Sequence, residues 1–310
     1  MNVPAFRSGL VVVLSAALTQ PPVAPPQPDG IVAVVSSSAT ETSREAVSSF
    51  RRRLEQRGVR VAVEVNLSSG EERANVAALQ SARATVILAV GARAAEVAQR
   101  EQGQAVVVST MVLKTGDVAA GRGTGVALEF PIDQQLDWIR RILPNSARRV
   151  GIVFNPAENA RTISRIREAA GARGLEIVAR PVSTPADIPQ ALASLTGTAD
   201  VLWGVPDDVV MTPETARSIL LFSMRNRLPL IGLSSAWVRA GALFALDRDY
   251  ADMGTQCADQ VLRLLQGEPV SAVPPEHPRR IEYSVNQRTA DLMNIRLSQE
   301  TLRNAKEVVR

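Results

Sequence analysis

Residues 30–38, GIVAVVSSS, decide how the rest of the chain reads. Five apolar and mostly β-branched residues, Ile31 to Val35, stand between a glycine and three serines, the pattern of a strand buried on both faces of a parallel sheet. Parallel neighbours need a crossover of roughly a dozen residues or more, so a helix is expected next. Thr40 or Thr42 is placed to cap it, Val47, Phe50 and Leu54 repeat at i, i+3 and i+7, and Gly58 supplies the stop.

Apolar or alternating runs follow at 59–65, 85–90 and 105–109, separated by helix-sized segments. After a break, further runs begin at Arg149 (RVGIVF), Leu175 (LEIVARPV), Val201 (VLWGV) and Pro229 (PLIGL), with helices predicted over 158–173, 185–195 and 213–226. Strand starts recur every 20–28 residues in each half, which implies two α/β lobes of one kind, each a doubly wound, mainly parallel, Rossmann-like sheet. The length agrees, because 310 residues exceed the roughly 250–300 at which a single core stops growing. Between the halves, GRGTGV (121–126) reads as a crossover turn ahead of the extended VALEF (126–130) and a helix over 131–143. A dinucleotide fingerprint would place its glycines directly after the first strand, where this chain has serines, and no GxxxxGK[ST] occurs, so no nucleotide cofactor is expected.

Composition narrows the chemistry. With 45% hydrophobic and 21% charged residues the chain is an ordinary globular one. The net charge of +4 comes from arginines dispersed among 31 acids, and the densest run, Arg51 to Arg53, is flanked by Glu45 and Glu55 on a predicted helix, so no nucleic-acid partner is expected. One cysteine, Cys257, and one histidine, His277, allow neither an intrachain disulfide nor a His/Cys zinc cluster, and no metal site is expected. No nucleophile and base stand in a recognisable motif, which argues against an enzyme.

The N-terminus has the order of an export signal. Arg7 precedes the apolar run 10–18 (LVVVLSAAL), and five prolines follow within 21–28. Nine apolar residues are too few to span a bilayer, which needs about 20, but suffice for a signal peptide, with cleavage expected after Ala17. No cysteine follows the run, so a lipid-anchored form is not expected. Residues 1–30 therefore read as signal peptide and Pro-rich spacer, retention as a short membrane anchor being the alternative, and the folded body as periplasmic or otherwise extracytoplasmic.

Open parallel sheets bind ligands at the carboxyl ends of their strands, and two facing lobes bring those ends onto one cleft. The candidate ligand-binding residues are Ser36, Ser37, Gly91, Ala92, Arg93, Ser109 and Thr110 in the first half, and Asn155, Asn159, Asp207, Asp208 and Ser234 in the second. Gly91 opens a predicted helix whose amides suit a carboxylate, and Asp207 or Asp208 suits an ammonium group. The same residue types also serve as turn and helix caps.

Several segments recur together in a known order: RVGIVFNP (149–156), VPDD (205–208), PLIGLSSAWVRAGAL (229–243), DYADMGTQCADQVLRLLQGEP (249–269) and IEYSVNQRTAD (281–291). The ordered set resembles the ABC transporter substrate-binding protein family, relatives of aromatic-amino-acid-type binding proteins, over about 30–310 and most strongly in the second half. The resemblance implies a type I periplasmic-binding-protein fold with crossovers near Val126, Gly241 and Arg280. It divides the chain into one lobe of 31–126 plus 242–280 and another of 127–241 plus 281–310. It further implies a monomer that closes on a small-molecule ligand and docks on an ABC permease; signalling to a membrane sensor without transport is the alternative, and a hydrolase or transferase the less favoured one. It sets Asp208, Asn155 and Gly91 on ligand-contact positions. Where many relatives have an acid ending a first-lobe strand this chain has Ser109-Thr110-Met111, and where many have Asp after the Pro229 strand it has Ser234. Those departures imply a ligand less cationic or more apolar than an amino acid, or a role from which binding has been lost.

Overall fold

Ile31 to Val35 lead into the central region of the first of two sheets in the computed structural model, which describes residues 30–101, 103–119, 123–144 and 146–310. The expected signal peptide and its cleavage site lie outside the described residues, as do Gly121 and Arg122 of the glycine string. The first half runs β1 (Val32–Ser36), α1 (Glu41–Glu55), β2 (Val61–Asn66), α2 (Glu72–Ser81), β3 (Val86–Val90), α3 (Ala92–Glu101), β4 (Val106–Thr110), a single turn α4 (Thr115–Val118) and β5 (Gly123–Val126). The second continues α5 (Ile132–Ile142), β6 (Arg149–Phe154), α6 (Pro156–Gly171), β7 (Glu176–Pro181), α7 (Ile188–Ala193), β8 (Val201–Trp203), α8 (Pro213–Arg225), β9 (Leu230–Gly232), α9 (Ser235–Arg239) and β10 (Phe244–Arg248). The chain closes with α10 (Tyr250–Leu265), β11 (Ile281–Asn286), α11 (Gln287–Leu292), α12 (Gln299–Asn304) and β12 (Glu307–Val309).

The first sheet is parallel throughout, in the order β2-β1-β3-β4-β5. Strand alternation sends Val32, Val34, Val86 and Leu88 to one face, against Phe50 and Leu54 of α1 and Cys257 and Val261 of α10. Ala33, Val35, Ile87 and Ala89 face the other way, onto Leu79 of α2 and Val97 and Ala98 of α3. Phe50 is fully buried, worth roughly 2–3 kcal/mol against exposure, so the i, i+3, i+7 stripe anchors the helix. The second sheet has the order β12-β11-β10-β9-β8-β6-β7 and is parallel except between β10 and β11.

Two expectations need correction. The GTGV end of the glycine string is not a turn but strand β5, paired with β4. Gly125 allows this: a Cβ there would stand 1.9 Å from the Ser109 carbonyl oxygen. The second crossover also falls later than Gly241. Residues 244–248 form β10 inside the second sheet, so the chain returns to the first lobe only at 248–250 and enters α10 there. Gly241 sits in the α9–β10 turn, where its φ of +124° suits glycine and its carbonyl accepts from the Thr289 hydroxyl at 3.1 Å, so it is part of the second lobe's packing and not a pivot.

The third crossover is tied to α10. Asp252, Gln256 and Gln260 occupy one buried stripe of that helix, and Asp252 holds Arg279 through two bonds of 2.8 Å. Gln256 donates to Glu276 at 2.8 Å and accepts from the Arg279 amide at 3.1 Å. Residues 273–276 thereby run beside β5, where the Glu276 amide donates to the Gly125 carbonyl at 2.8 Å.

Candidate ligand-binding site

A cavity of about 440 Å³ opens where the carboxyl ends of β8, β9 and β10 meet the crossovers between the lobes, a volume within the ordinary range for small-molecule sites. Trp203, Ile231, Phe244 and Phe130, all buried, give it an apolar floor. Gln135 of α5 and Asn159, Thr162 and Arg165 of α6 form a polar wall, and Leu113, Lys114 and Thr115 reach it from the first lobe. All three crossovers contribute: 128–131 from the first, Arg248 and Tyr250 from the second and His277 from the third.

Arg248 is held on two sides. Its Nε donates to the Leu128 carbonyl at 2.6 Å and its guanidinium stacks 4.5 Å above the Phe130 ring centre, a contact worth about 1 kcal/mol. Burial pulls the guanidinium below its ordinary pKa, yet an arginine stays charged at any physiological pH. Burial, and then the charge of Asp247, pushes the neighbouring Tyr250 phenol up, so it stays a neutral hydrogen-bonding group. His277 Nδ1 lies 2.9 Å from the Glu129 carbonyl oxygen, which only accepts, so this nitrogen carries the hydrogen. Among the described residues no cluster of three or more His, Cys, Asp or Glu converges to hold a metal ion.

Of the twelve residues expected from the strand-end rule, the structure brings Asn159 alone into the cavity lining. The others lie outside the lining, several of them engaged in caps, turns and ion pairs. The Asp207 carboxylate accepts from the Asn155 amide at 2.7 Å, the Asn159 side chain at 2.9 Å and the Val209 and Val210 amides at 2.9 Å, leaving nothing for an ammonium group. Asp208 is exposed, with its amide on Glu158 at 3.0 Å. Asn155 caps α6 through the Ala157 amide at 3.1 Å, and Ser234 stands at the start of α9 beside the lining residue Leu233.

In the first lobe, Ser37 Oγ accepts from the Ala94 amide at 2.9 Å and so occupies the α3 start that Gly91 and Ala92 were expected to offer a carboxylate. Gly91 is needed there because its φ is +97° and a Cβ would press on the Ser37 hydroxyl at 2.5 Å. Ser36 is buried at the end of β1, and Arg93 is exposed and paired with Glu72. Ser109 and Thr110 are fully buried on opposite faces of β4, Thr110 beside the Cys257 thiol, so neither points into the cleft.

Sequence reasoning missed Arg165, Arg248, Tyr250, Trp203 and Phe130. Arg248 and Tyr250 stand within DRDY, at the head of a segment already singled out, and the signal that would have found them is a charged residue ending a predicted strand where the chain changes lobe. Trp203 and Phe130 carry no such signal, since an apolar residue at a strand end is indistinguishable from core.

A model of the ABC transporter substrate binding protein family matches residues 31–309. A tyrosine-binding protein of Clostridioides difficile is 24% identical over 202 residues, which are 64% of this chain and 58% of that protein, so the match spans little more than half of the relative's length. Among solved structures, a ligand-free, open substrate-binding protein with adhesive properties from Clostridium difficile superposes with a TM-score of 0.76 at 18% identity, over 91% of this chain and 99% of the other. A Streptococcus pneumonia structure, described as an ABC domain in complex with L-Trp, gives 0.60 at 16% identity, over 91% and 100%. These likenesses show the fold, two parallel-sheet lobes of the type I periplasmic-binding-protein kind.

Proposed function

Since the chain belongs to the ABC transporter substrate-binding protein family, we propose that it is the extracytoplasmic solute-binding component of an ABC transporter, closing its lobes on a small molecule in the cavity described above. The observation that carries this reading is the position of the cavity: both lobes and all three crossovers line it, so rotation at the crossovers changes its shape and a bound solute favours whichever arrangement it contacts best. Ligand binding is retained on this reading. The aromatic floor of Trp203, Phe130 and Phe244 suits a ligand with an apolar or aromatic body, in keeping with relatives described as binding tyrosine or L-Trp.

The finer features belong to the same proposal. Arg7 and the apolar run 10–18 act as an export signal that is removed, placing the mature chain in the periplasm or its equivalent. The protein works as a monomer, its closed form docks on a membrane permease, and it catalyses no reaction. Within the site, Asn159 is the strand-end residue kept as a ligand contact, joined by Arg248, Arg165 and Tyr250.

A thermal-shift screen of the mature chain tests the reading. A solute that binds the folded state raises the melting temperature by mass action, by an amount set by RT ln(1 + [L]/Kd). Amino acids, organic acids, sugars and nucleobases form the panel; a concentration-dependent rise with at least one is expected, and none with any would overturn solute binding.

A further inference from the structure

The boundary between the lobes can be followed residue by residue along each crossover. In the first, the Leu128 and Glu129 amides donate to the Val112 and Leu113 carbonyls at 2.7 and 2.9 Å, and the Ala127 amide donates to the Glu276 carbonyl at 3.0 Å. The Glu129 carboxylate accepts from the Thr115 amide at 2.9 Å, and its carbonyl accepts from His277 Nδ1 at 2.9 Å. Residues 127–129 therefore extend β5 and go with the first lobe. Phe130 goes with the second: its ring is buried in that lobe's core and its carbonyl accepts from the Gln135 side chain of α5 at 2.9 Å. The change of lobe falls on the single link 129–130, beyond the Val126 expected for it.

The other two crossovers are as short. Arg248 pairs with Ile281 between β10 and β11, whereas Asp249 caps α10 by accepting from the Asp252 amide at 2.8 Å. Arg279 is held by Asp252 and Gln256 of α10 and Ile281 opens β11, which leaves Arg280 between them. A segment hydrogen-bonded to one body moves with it, so rotation concentrates in the links bonded to neither.

One side chain spans these links on the cavity side. Arg248, rooted in β10, carries its Nε across to the Leu128 carbonyl of the first lobe at 2.6 Å, its plane set against Phe130. A hydrogen bond from a charged donor is about twice as strong as a neutral one, and this one is only partly open to solvent. The contact across the cleft mouth, Lys114 to Glu158 at 3.9 Å, is longer and more exposed. We infer that the lobes turn about three joints, 129–130, 248–249 and 280, and that Arg248 is the positioning residue that ties them, holding the lobes in this arrangement until a solute in the cavity it lines acts on the tie. The solute's part rests on the solute-binding reading above; the joints and the tie are properties of the chain alone.

The test needs no solute. Asp117, three residues from Lys114, and Asp208, whose amide is on Glu158, are exposed on either side of the cleft mouth, and Cys257 is buried. Spin labels on Asp117→Cys and Asp208→Cys report the distance between lobes in the mature chain by pulsed electron resonance. Adding Arg248→Met, which keeps the length but removes the charge and the donor, is expected to broaden or shift the distance distribution by several ångström while circular dichroism stays native. Arg248→Lys, which keeps a charged donor, is expected to narrow it again, and Arg161→Met, exposed on α6, to leave it as in the labelled chain with Arg248. The same distribution for Arg248→Met as for arginine overturns the tie, and so does an equal broadening by Arg161→Met. Should Arg248→Met misfold, Phe130→Leu, which removes the ring beneath the guanidinium, takes its place with the same expected result and the same overturning one. Hydrogen exchange of the chain without substitutions checks the first joint: the Leu128 and Glu129 amides are expected to exchange as slowly as those of β5, and exchange as fast as in exposed loops overturns its placement. A silent thermal-shift screen would overturn solute binding without touching these results, and an unchanged distance would overturn the tie while solute binding stands.

Discussion

Asp207 shows what a single position can and cannot reveal. An acid in a strand-end loop is a reasonable ligand contact, and its place in the loop was legible in the sequence. What was not legible is that its carboxylate receives Asn155 and Asn159, contributed by α6 and its cap, together with two amides of its own loop. Such partners are set by tertiary packing, not by spacing. Asp207→Asn removes acceptor capacity from a buried site and is expected to cost about 2 kcal/mol in chemical denaturation, while Asp208→Ala, exposed, should change stability by less than about 0.5 kcal/mol and leave ligand affinity unaltered. Cys257 is the converse case, fully buried on the apolar face of α10 against the first sheet. Burial pushes its thiol up to about 12, so at pH near 8 it stays protonated and shielded. A chromogenic disulfide reagent should therefore leave the native chain unmodified and label one thiol per chain after denaturation; rapid labelling of the folded chain would contradict the packing described.

Helix α10 carries more of the architecture than its sequence pattern discloses. Its apolar stripe, Met253, Cys257, Val261 and Leu265, was readable as a core-facing face. That Asp252, Gln256 and Gln260 form a buried polar stripe is not legible in the sequence, because the segment that covers it, residues 273–279, has no regular pattern of its own. Gly254 permits the close approach of α1: a Cβ there would meet the Ala46 carbonyl oxygen at 2.0 Å, and neither backbone can yield without the helices parting. Gly254→Ala is therefore expected to destabilise the chain by about 1–3 kcal/mol. Gly171→Ala, at the end of α6 with open space around it, is expected to be neutral or to stabilise by up to about 1 kcal/mol, and comparing the two denaturation midpoints tests the packing without relying on any ligand.

At the scale of the molecule, the recurrence of strands every 20–28 residues made the two α/β lobes legible, because parallel neighbours need a crossover of roughly a dozen residues or more, usually a helix. The exact course between lobes was less so. A strand looks the same whichever sheet it joins, and β10 joins the second one, which moves the middle crossover from Gly241 to 248–250. That shift matters for function, since it brings Arg248 and Tyr250 to the cleft, beside the 128–131 crossover and His277. In two second-lobe loops the polar residue singled out by the strand-end rule lies outside the cavity lining while its neighbour faces it: Leu233 beside Ser234, and Pro206 beside Asp207.

The central claim, that solute binding closes the lobes, is tested most directly by small-angle X-ray scattering of the mature chain with and without a saturating solute taken from the thermal-shift screen. The account predicts a smaller radius of gyration and a shorter maximum dimension for the bound protein, reversed when the solute is dialysed away. A radius of gyration that stays unchanged while calorimetry shows the site filled would contradict it.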